Sequence, residues 1–189
     1  MKKQLILASK SPRRSELLKK AGLDFTIIES GYEEKSSAKR PKKVVKDFAF
    51  NKAKTVFDGL KNKQDFMVLG ADTIVVLGKK ILGKPKDEVE AKNMLKSLSN
   101  RTHTVITGYA VLTENKAVCK SVKTKVIFND LSDSDIEEYI RSGSPFDKAG
   151  GYGIQDDFPL VKGYKGSIDN VIGLPVKQVV KSIEKLNNK

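Results

Sequence analysis

The spacing of apolar and polar positions along the chain predicts a mixture of strands and amphipathic helices. Short uninterrupted apolar runs at 5–9 and 25–30 indicate buried strands. Within 41–60 the apolar residues recur at helical spacing, whereas 102–129 alternates and turns at 114–115, as a β-hairpin does. The predicted strands are 5–9, 25–30, 66–78 and the hairpin 102–129, and the predicted helices are 12–21, 41–60, 86–100, 131–143 and 175–187.

These elements alternate between strand and helix, but they also include a hairpin. The segment 66–78 reads as one long strand or as a strand pair, bent where Gly70 and Asp72 interrupt it. A glycine-rich stretch over 149–173 precedes the last helix. The pattern therefore predicts an α/β fold with a mixed twisted sheet and flanking helices, drawn out into two lobes around a central cleft. No repeat or linker divides residues 1–189, so we treat them as a single domain.

Composition excludes several classes of protein. No apolar run is long enough for a membrane span, and the short apolar start does not resemble a signal peptide. Cys119 is the only cysteine, which excludes an internal disulfide. We therefore expect a cytoplasmic protein. The net charge of +13 comes mostly from lysines with few aromatic residues between them, a pattern that favours a solvated surface over a nucleic-acid interface.

The segment "KSPRRSELL" (10–18) places two cations where a helix disfavours them. Ser11 reads as the N-cap and Pro12 as the first helical residue, so Arg13 and Arg14 fall in the first turn. The positive end of the helix dipole favours anions there by about 0.3–1 kcal/mol each. This arrangement predicts an anion-binding site at the start of the helix.

The stretch "GKKILGKP" (78–85) has the glycine and lysine spacing of a P-loop, but it departs from that motif. Pro85 stands where a serine or threonine would hold Mg²⁺, and proline offers no N–H to a phosphate. The letters "KKIL" instead indicate a hairpin turn that returns into a strand. We reject a P-loop, although Lys84 can still bind a phosphate as a point charge.

Asp72 in "LGADTIVV" lies within an apolar run, where an unpaired charge is costly. Two interpretations stay open at this point: a carboxylate that caps a turn, or a metal ligand or general base at a strand break. His103, the only histidine, lies in a β-type stretch and is expected to hold a turn rather than to join catalysis. Asp147 and Lys148 can pair either to shape a site or as a purely structural ion pair.

Together these segments resemble the Maf family of nucleotide pyrophosphatases. The resemblance rests on eight segments in the family's order, which span nearly the whole chain. They are "LILASKSPRRSELLKKAGL" (5–23), "GYEE" (31–34), "AFNKA" (49–53), "GADTIVV" (70–76), "ILGKP" (81–85), "LSNRTHTVITG" (98–108), "DKAGGYGIQ" (147–155) and "NVIGLP" (170–175).

The resemblance implies an enzyme that cuts nucleoside triphosphates between the α- and β-phosphates, with a divalent cation, Mg²⁺ or Mn²⁺. It also implies a fold similar to that of the inosine-triphosphate pyrophosphatases, and a homodimer. By the same resemblance Asp72 activates the water or binds the metal, and Glu34 is a second acidic ligand. The residues expected to bind the triphosphate are Ser9, Arg13, Arg14, Lys52 and Lys84.

The resemblance also carries an expectation about the base. Family members that act on dTTP and UTP resemble this chain at Arg13, Thr73 and Gln155. The Gln155 amide offers both a donor and an acceptor to a pyrimidine edge. The chain departs from the family pattern just after this residue, where Asp156 and Asp157 follow directly.

Three alternatives remain beside this expectation. The charge of +13 leaves room for a nucleic-acid-binding or cell-division regulatory protein, which would bind with strong salt dependence. A related enzyme with a purine preference would not read the base through Thr73 and Gln155. A nucleotide sensor without turnover would leave Asp72 idle.

Overall fold

The computed structural model describes residues 3–33, 38 and 40–187. None of the helices in these ranges is long and apolar enough to span a bilayer. The strands are β1 (Gln4–Leu7), β2 (Phe25–Ile27), β3 (Phe66–Leu77), β4 (Lys80–Leu82), β5 (Thr102–Leu112), β6 (Ala117–Phe128) and β7 (Val161–Lys165). The α-helices are α1 (Pro12–Lys20), α2 (Pro41–Asp58), α3 (Glu88–Leu98), α4 (Asp133–Arg141), α5 (Ile168–Ile172) and α6 (Val176–Asn187).

The strands form one mixed sheet, as predicted. Its order is β2-β1-β3-β5-β6-β7, and β4 pairs with β3. β1 is parallel to both β2 and β3, whereas β4 runs antiparallel to β3 and β7 antiparallel to β6. Parallel pairing at one side and hairpins at the other is the mixture that the alternating elements predicted.

The chain divides into two compact units. Unit 1 consists of Met1–Asp72, Thr107–Val122 and Gly173–Lys189, and unit 2 of Thr73–Ile106 and Lys123–Ile172. Each unit has its own apolar core, built around α2 in unit 1 and around α3 and α4 in unit 2. The two units correspond to the two predicted lobes, and the cleft stays a prediction.

Local signals in the sequence explain most element boundaries. Asp87 caps α3 by accepting the N–H of Glu90 at 2.7 Å, and Ser132 and Asp135 form a reciprocal capping box at the start of α4. The hairpin turn closes where Thr113 N–H donates to Lys116 O at 2.8 Å, around the predicted 114–115. The sequence missed β7 and α5, which lie in the glycine-rich stretch.

Asp72 and His103 both lie within continuous strands. Of the two readings of 66–78, one long strand is confirmed, because β3 runs without interruption over Phe66–Leu77, and the expectation that Asp72 marks a strand break is wrong. His103 lies inside β5 and is buried, and its side chain contacts the hydroxyl of Tyr152 in the glycine-rich stretch. In both cases the extended backbone continues through a polar residue because side chains from neighbouring elements give that residue a partner in the core.

Candidate active site

In unit 1, the parallel pairing of β1 with β3 sets Ser9 and Asp72 on neighbouring strands. Leu7 pairs with Leu69, and beyond this pair Ala8 N–H donates to Leu69 O at 2.8 Å. Ser9 therefore follows the carboxyl end of β1, next to the stretch of β3 that leads into Asp72. Both side chains are buried, which is unusual for a serine and a carboxylate.

Helix α2 packs directly on β3 at Gly70. A Cβ at this position would collide with the carbonyl oxygen of Ala49 and lie 2.7 Å from the backbone nitrogen of Ala53. Only glycine permits this approach, because any side chain would push the helix away. The close packing places Lys52, which lies between these two helix residues in sequence, within reach of β3.

Lys52 and Asp72 form a buried ion pair. The distance from Lys52 Nζ to Asp72 Oδ1 is 2.7 Å, and the side chains are 12% and 8% exposed. Burial of two charges is costly, and removing one partner of such a pair typically destabilises a protein by about 3–5 kcal/mol. The pair holds one carboxylate in a fixed orientation, as a general base or metal ligand requires. Lys52 is one of the residues expected to bind the triphosphate. In the structure its Nζ contacts the carboxylate of Asp72.

The first turn of α1 carries the two arginines, as predicted. Arg14 donates from Nη1 to Ser9 Oγ at 3.1 Å and from Nε to Gly173 O at 2.9 Å. Ser9 Oγ also accepts the N–H of Ser11 at 3.2 Å. Ser11 is the N-cap residue, but its side chain makes no capping hydrogen bond. Two cations beside the N-terminal N–H groups make this turn suited to an anion such as phosphate.

Unit 2 contains the other three predicted substrate residues, Thr73, Lys84 and Gln155. The N–H of Gly150 donates to Gly83 O at 2.8 Å, which ties the Lys84 segment to the loop that leads to Gln155. Gly150 also lies against the side chain of Val75, two residues after Thr73 on the same face of β3. Lys84 and Gln155 are both exposed. Gly150 therefore contacts both the segment of Lys84 and the strand that carries Thr73, and it belongs to the loop that leads to Gln155.

Asp147 and Lys148 do pair, at 2.8 Å. Lys148 Nζ also lies 3.5 Å from Asp156 Oδ2, and it donates to the carbonyl oxygen of Ser144 at 2.6 Å. Asp156 in turn accepts a hydrogen bond from the Tyr139 hydroxyl. Sequence reasoning missed Tyr139 and singled out Asp156 only as a departure from the family pattern. The run of two acids after Gln155 was the available signal.

His103 belongs to an aromatic cluster in the core of unit 2. Its Nε2 lies 2.6 Å from the hydroxyl of Tyr152, and its ring packs edge-on against Tyr152 and Phe128. Burial lowers the pKa of His103 from 6.5 to about 4. The imidazole is therefore neutral at pH 7.

Glu34, the expected second acidic ligand, lies outside the described residues, so its role stays a prediction. Within the ranges that the structure describes, no group of three or more His, Cys, Asp or Glu side chains could hold a metal ion. Mg²⁺ does not need such a cage, because it is commonly held by one or two carboxylates together with substrate phosphates. The Asp72 carboxylate offers the oxygen donors that Mg²⁺ and Mn²⁺ prefer. The donor chemistry therefore fits the expected cation.

Comparison with known proteins identifies the family of the chain. Residues 4–186 match the family model described as Maf-like protein. The chain is 48% identical over 179 residues to a dTTP/UTP pyrophosphatase of Thermoanaerobacter sp. (strain X514), covering 93% of each chain. It is 47% identical to a dTTP/UTP pyrophosphatase of Thermosipho africanus over 93% of this chain and 90% of the relative.

A third relative extends the match along nearly the whole sequence. The dTTP/UTP pyrophosphatase of Bacillus thuringiensis subsp. konkukian is 43% identical over 187 residues, which is 98% of this chain and 96% of the relative. The match includes the segments that carry the Lys52–Asp72 pair, the arginines of α1 and the Gln155 loop. The chain belongs to the Maf family.

Proposed function

We propose that the chain hydrolyses dTTP and UTP to the nucleoside monophosphate and pyrophosphate. The observation that carries the proposal is the buried Lys52–Asp72 ion pair, held in the same unit as the two arginines of α1. A buried carboxylate with a fixed orientation suits water activation, and the cations suit a polyanion. The printed name of the relatives, dTTP/UTP pyrophosphatase, supports the same reaction and substrates.

The reaction balances with the residues present. The oxygen of a water bonds to the α-phosphorus, and the bond from that phosphorus to the α–β bridging oxygen breaks. The Asp72 carboxylate accepts the water's proton, and pyrophosphate leaves with the electron pair of the broken bond. Lys52 orients the carboxylate throughout, because its Nζ holds Oδ1 at 2.7 Å.

The other residues bind and orient the nucleotide. Arg13 and Arg14 contact phosphate oxygens, with Ser9 fixing the guanidinium of Arg14 through the hydrogen bond at 3.1 Å. Lys84 adds a further phosphate contact. Thr73 and Gln155 contact the base, and the Gln155 amide pairs with the donor and acceptor of the uracil or thymine edge.

A divalent cation, Mg²⁺ or Mn²⁺, completes the proposal. Asp72 would hold it together with the substrate phosphates, and Glu34 is the proposed second ligand. When bound, the cation neutralises charge on the phosphate oxygens as the bond breaks. A homodimer and a cytoplasmic location stay predictions.

The nucleic-acid-binding and cell-division alternative has less support, because the full-length relatives carry the name of a nucleotide hydrolase. The alternative makes a separate prediction. It requires binding to DNA or RNA that weakens steeply with salt, and no pyrophosphate release.

The test is turnover of a nucleotide panel with product analysis. The purified chain is incubated with dTTP, UTP, dCTP, dATP and dGTP in Mg²⁺ or Mn²⁺, and pyrophosphate and orthophosphate are measured separately. We expect pyrophosphate released fastest from dTTP and UTP. Asp72→Asn should lower kcat by about 10²–10⁴-fold, the range of general-base contributions. Release of orthophosphate, or no turnover, would overturn the proposal.

A matched control separates chemistry from folding. Asp58→Asn removes the carboxylate of an exposed Lys54–Asp58 pair on the same helix as Lys52, and should leave turnover unchanged. Thermal melting with a non-hydrolysable α,β-methylene analogue of dTTP shows whether Asp72→Asn still folds and binds. Loss of both melting transition and binding would require the variant Asp72→Glu to test the role of the carboxylate.

A further inference from the structure

The ammonium of Lys52 already neutralises the carboxylate on which the proposed cation depends. Its Nζ lies 2.7 Å from Oδ1 of Asp72, and the two side chains are 12% and 8% exposed. A hydrogen bond between two charged groups at this distance is a strong one, and burial strengthens it further. Before any nucleotide binds, Asp72 is therefore one half of an ion pair.

A divalent cation at Asp72 would lie next to this ammonium. Any cation bonded to the same carboxylate is close to Lys52 Nζ, and like charges a few ångströms apart repel strongly where water is largely excluded. The single negative charge of one carboxylate does not balance an ammonium and a divalent cation together. The ion pair therefore opposes binding of the metal alone.

The other charges assigned to the reaction in unit 1 act in the same direction. The cations Lys52, Arg13 and Arg14 outnumber the carboxylates of Asp72 and of Glu34, the proposed second ligand. A set of side chains with an excess of positive charge attracts a polyanion and repels a free metal ion. The nucleotide is thus favoured as the first ligand, either alone or with its cation.

The set of oxygen donors leads to the same order of binding. Within the described ranges, no group of three or more His, Cys, Asp or Glu side chains could hold a metal ion. Mg²⁺ commonly completes its coordination with substrate phosphates and water. A triphosphate supplies both parts that the protein lacks, namely oxygen ligands and enough negative charge to offset the cation beside the ammonium.

We propose that Lys52 prevents Asp72 from binding a divalent cation until the nucleotide is bound, so that the cation enters together with the triphosphate. This inference rests on the proposed function and deepens it. Lys52 is a positioning residue that holds Oδ1 and thereby also sets the order of binding. A cation held by Asp72 alone would have no phosphate to act on, and the ion pair disfavours that state.

A purely structural ion pair makes a different prediction. Removing the ammonium from a structural pair costs stability and creates nothing new. If Lys52 opposes metal binding, the same removal turns Asp72 into a carboxylate that binds a divalent cation without nucleotide. The variant then gains a property that the wild type lacks, and a misfolded protein does not show such a gain.

The experiment titrates Mn²⁺ into the purified chain at pH 8 without nucleotide and measures the relaxation rate of water protons, which rises when Mn²⁺ joins a slowly tumbling protein. We expect equally weak binding in the wild type and in Asp72→Asn. Lys52→Met and Lys52→Gln should bind Mn²⁺ at least about 10-fold more tightly than the wild type, since a neighbouring cation lowers the proton affinity of a carboxylate by about 10–10³-fold. Lys52→Gln keeps an amide donor for Asp72, which favours a folded protein.

Two further variants assign the new Mn²⁺ site. The double variant Lys52→Gln with Asp72→Asn should lose the gain, which places the ion at this carboxylate. Lys54→Met is the matched control, because it removes an exposed lysine of the same helix and should bind Mn²⁺ as the wild type does. Mn²⁺ should also raise the melting temperature of Lys52→Gln but not that of the wild type, because only the variant binds the ion without nucleotide.

The wild type is then titrated with Mn²⁺ in the presence of the α,β-methylene analogue of dTTP. We expect a large rise in the proton relaxation rate, because the cation joins the protein together with the triphosphate. No rise with the analogue would overturn the inference, since the cation would then fail to enter with the nucleotide.

Two other results would overturn the inference. One is tight Mn²⁺ binding by the nucleotide-free wild type that Asp72→Asn abolishes, a comparison that needs no variant of Lys52. The other is a folded Lys52→Gln that binds Mn²⁺ no better than the wild type. Turnover decides the proposed function separately: if the wild type releases pyrophosphate from dTTP, only the order of binding is in question, whereas no turnover of any nucleotide means that the proposed function itself fails.

Discussion

The Lys52–Asp72 pair of unit 1 and the turn of unit 2 that carries Gln155 are held in place by different means. Backbone contact fixes the pair, because α2 lies directly on Gly70 of β3 and both charged side chains are buried. Side-chain hydrogen bonds fix the turn, and Gln155 itself is exposed. The first arrangement depends on a glycine of β3, and the second depends on the hydroxyl of Tyr139.

This difference suits the two tasks in the proposed reaction. Water activation depends on a carboxylate at a set distance and orientation, and a shift of about 1 Å can cost 10²-fold in rate. In the same proposal, base preference depends on Thr73 and on the Gln155 amide, which contact the base and not the reacting phosphorus. The structure therefore predicts that substitutions in unit 1 change kcat, whereas substitutions in the turn change the choice of substrate.

The largest effect is expected for Lys52→Met. The substitution leaves Asp72 buried without its cation, so we expect kcat for dTTP to fall about 10²–10³-fold and stability to fall by about 3–5 kcal/mol. Chemical denaturation and pyrophosphate release measure the two losses. Lys54→Met, at an exposed pair on the same helix, is the control and should change neither. Wild-type kcat in Lys52→Met would contradict the assigned role.

Gly70→Ala tests the backbone contact. The added methyl group must displace α2, which should destabilise the protein by about 3 kcal/mol and lower kcat at least 10-fold, since Lys52 moves with the helix. Gly163→Ala is a suitable control, because a Cβ there meets nothing within 4 Å. Full activity in Gly70→Ala would show that the pair tolerates a shift of the helix.

Acid should lower the free energy of unfolding through His103 in unit 2. Its pKa of about 4 lies below the ordinary value of 6.5, so the unfolded chain takes up a proton that the native protein excludes. Stability is then complete above pH 6.5 and falls by up to about 3 kcal/mol as the pH drops to 4. Denaturant titrations at several pH values measure this slope. His103→Gln should flatten this slope of stability against pH. An unchanged slope would contradict the lowered pKa of His103.

The smallest effect is expected for Gln155→Ala. An exposed side chain contributes little to stability, so the melting temperature should match that of the wild type. The preference for dTTP over dCTP should fall about 10-fold, with kcat for the weaker substrate nearly constant. A lower kcat with every nucleotide would contradict the proposal that Gln155 affects the choice of substrate and not the chemical step.

Much of the fold was predictable from the sequence. Helical spacing and capping residues located α2, α3 and α4, and the alternation in 102–129 located the hairpin. The sequence did not predict β7, because "VKGYK" is short and carries two lysines and a glycine. The strand lies at the edge of the sheet, where its neighbour is β6. Strands of this kind gain their structure from the neighbouring strand and not from their own pattern.

The candidate site was predicted as a set of residues but not as a set of contacts. The resemblance to the Maf family pointed to both Asp72 and Lys52 as site residues. Nothing in the sequence indicated that Lys52 of α2 binds Asp72 of β3. That contact depends on Gly70, whose importance appears only when two elements pack. Tyr139 was missed for a similar reason, because its position in α4 reads as an ordinary core residue until the Gly153–Asp156 turn folds against it.

Each unit is assembled from separated segments of the chain, and this has a consequence for biosynthesis. Unit 1 needs Gly173–Lys189, where Gln178 O and Ser182 Oγ bond to the hydroxyl of Tyr109 at 3.0 and 2.9 Å. A ribosome releases residues in order at about 5–20 per second, so the segment with Lys52 and Asp72 emerges well before the helix that closes its core. The reaction centre should therefore mature only after most of the chain has left the ribosome, and an early-terminated product should offer chaperones an unfinished core rather than a partly active enzyme.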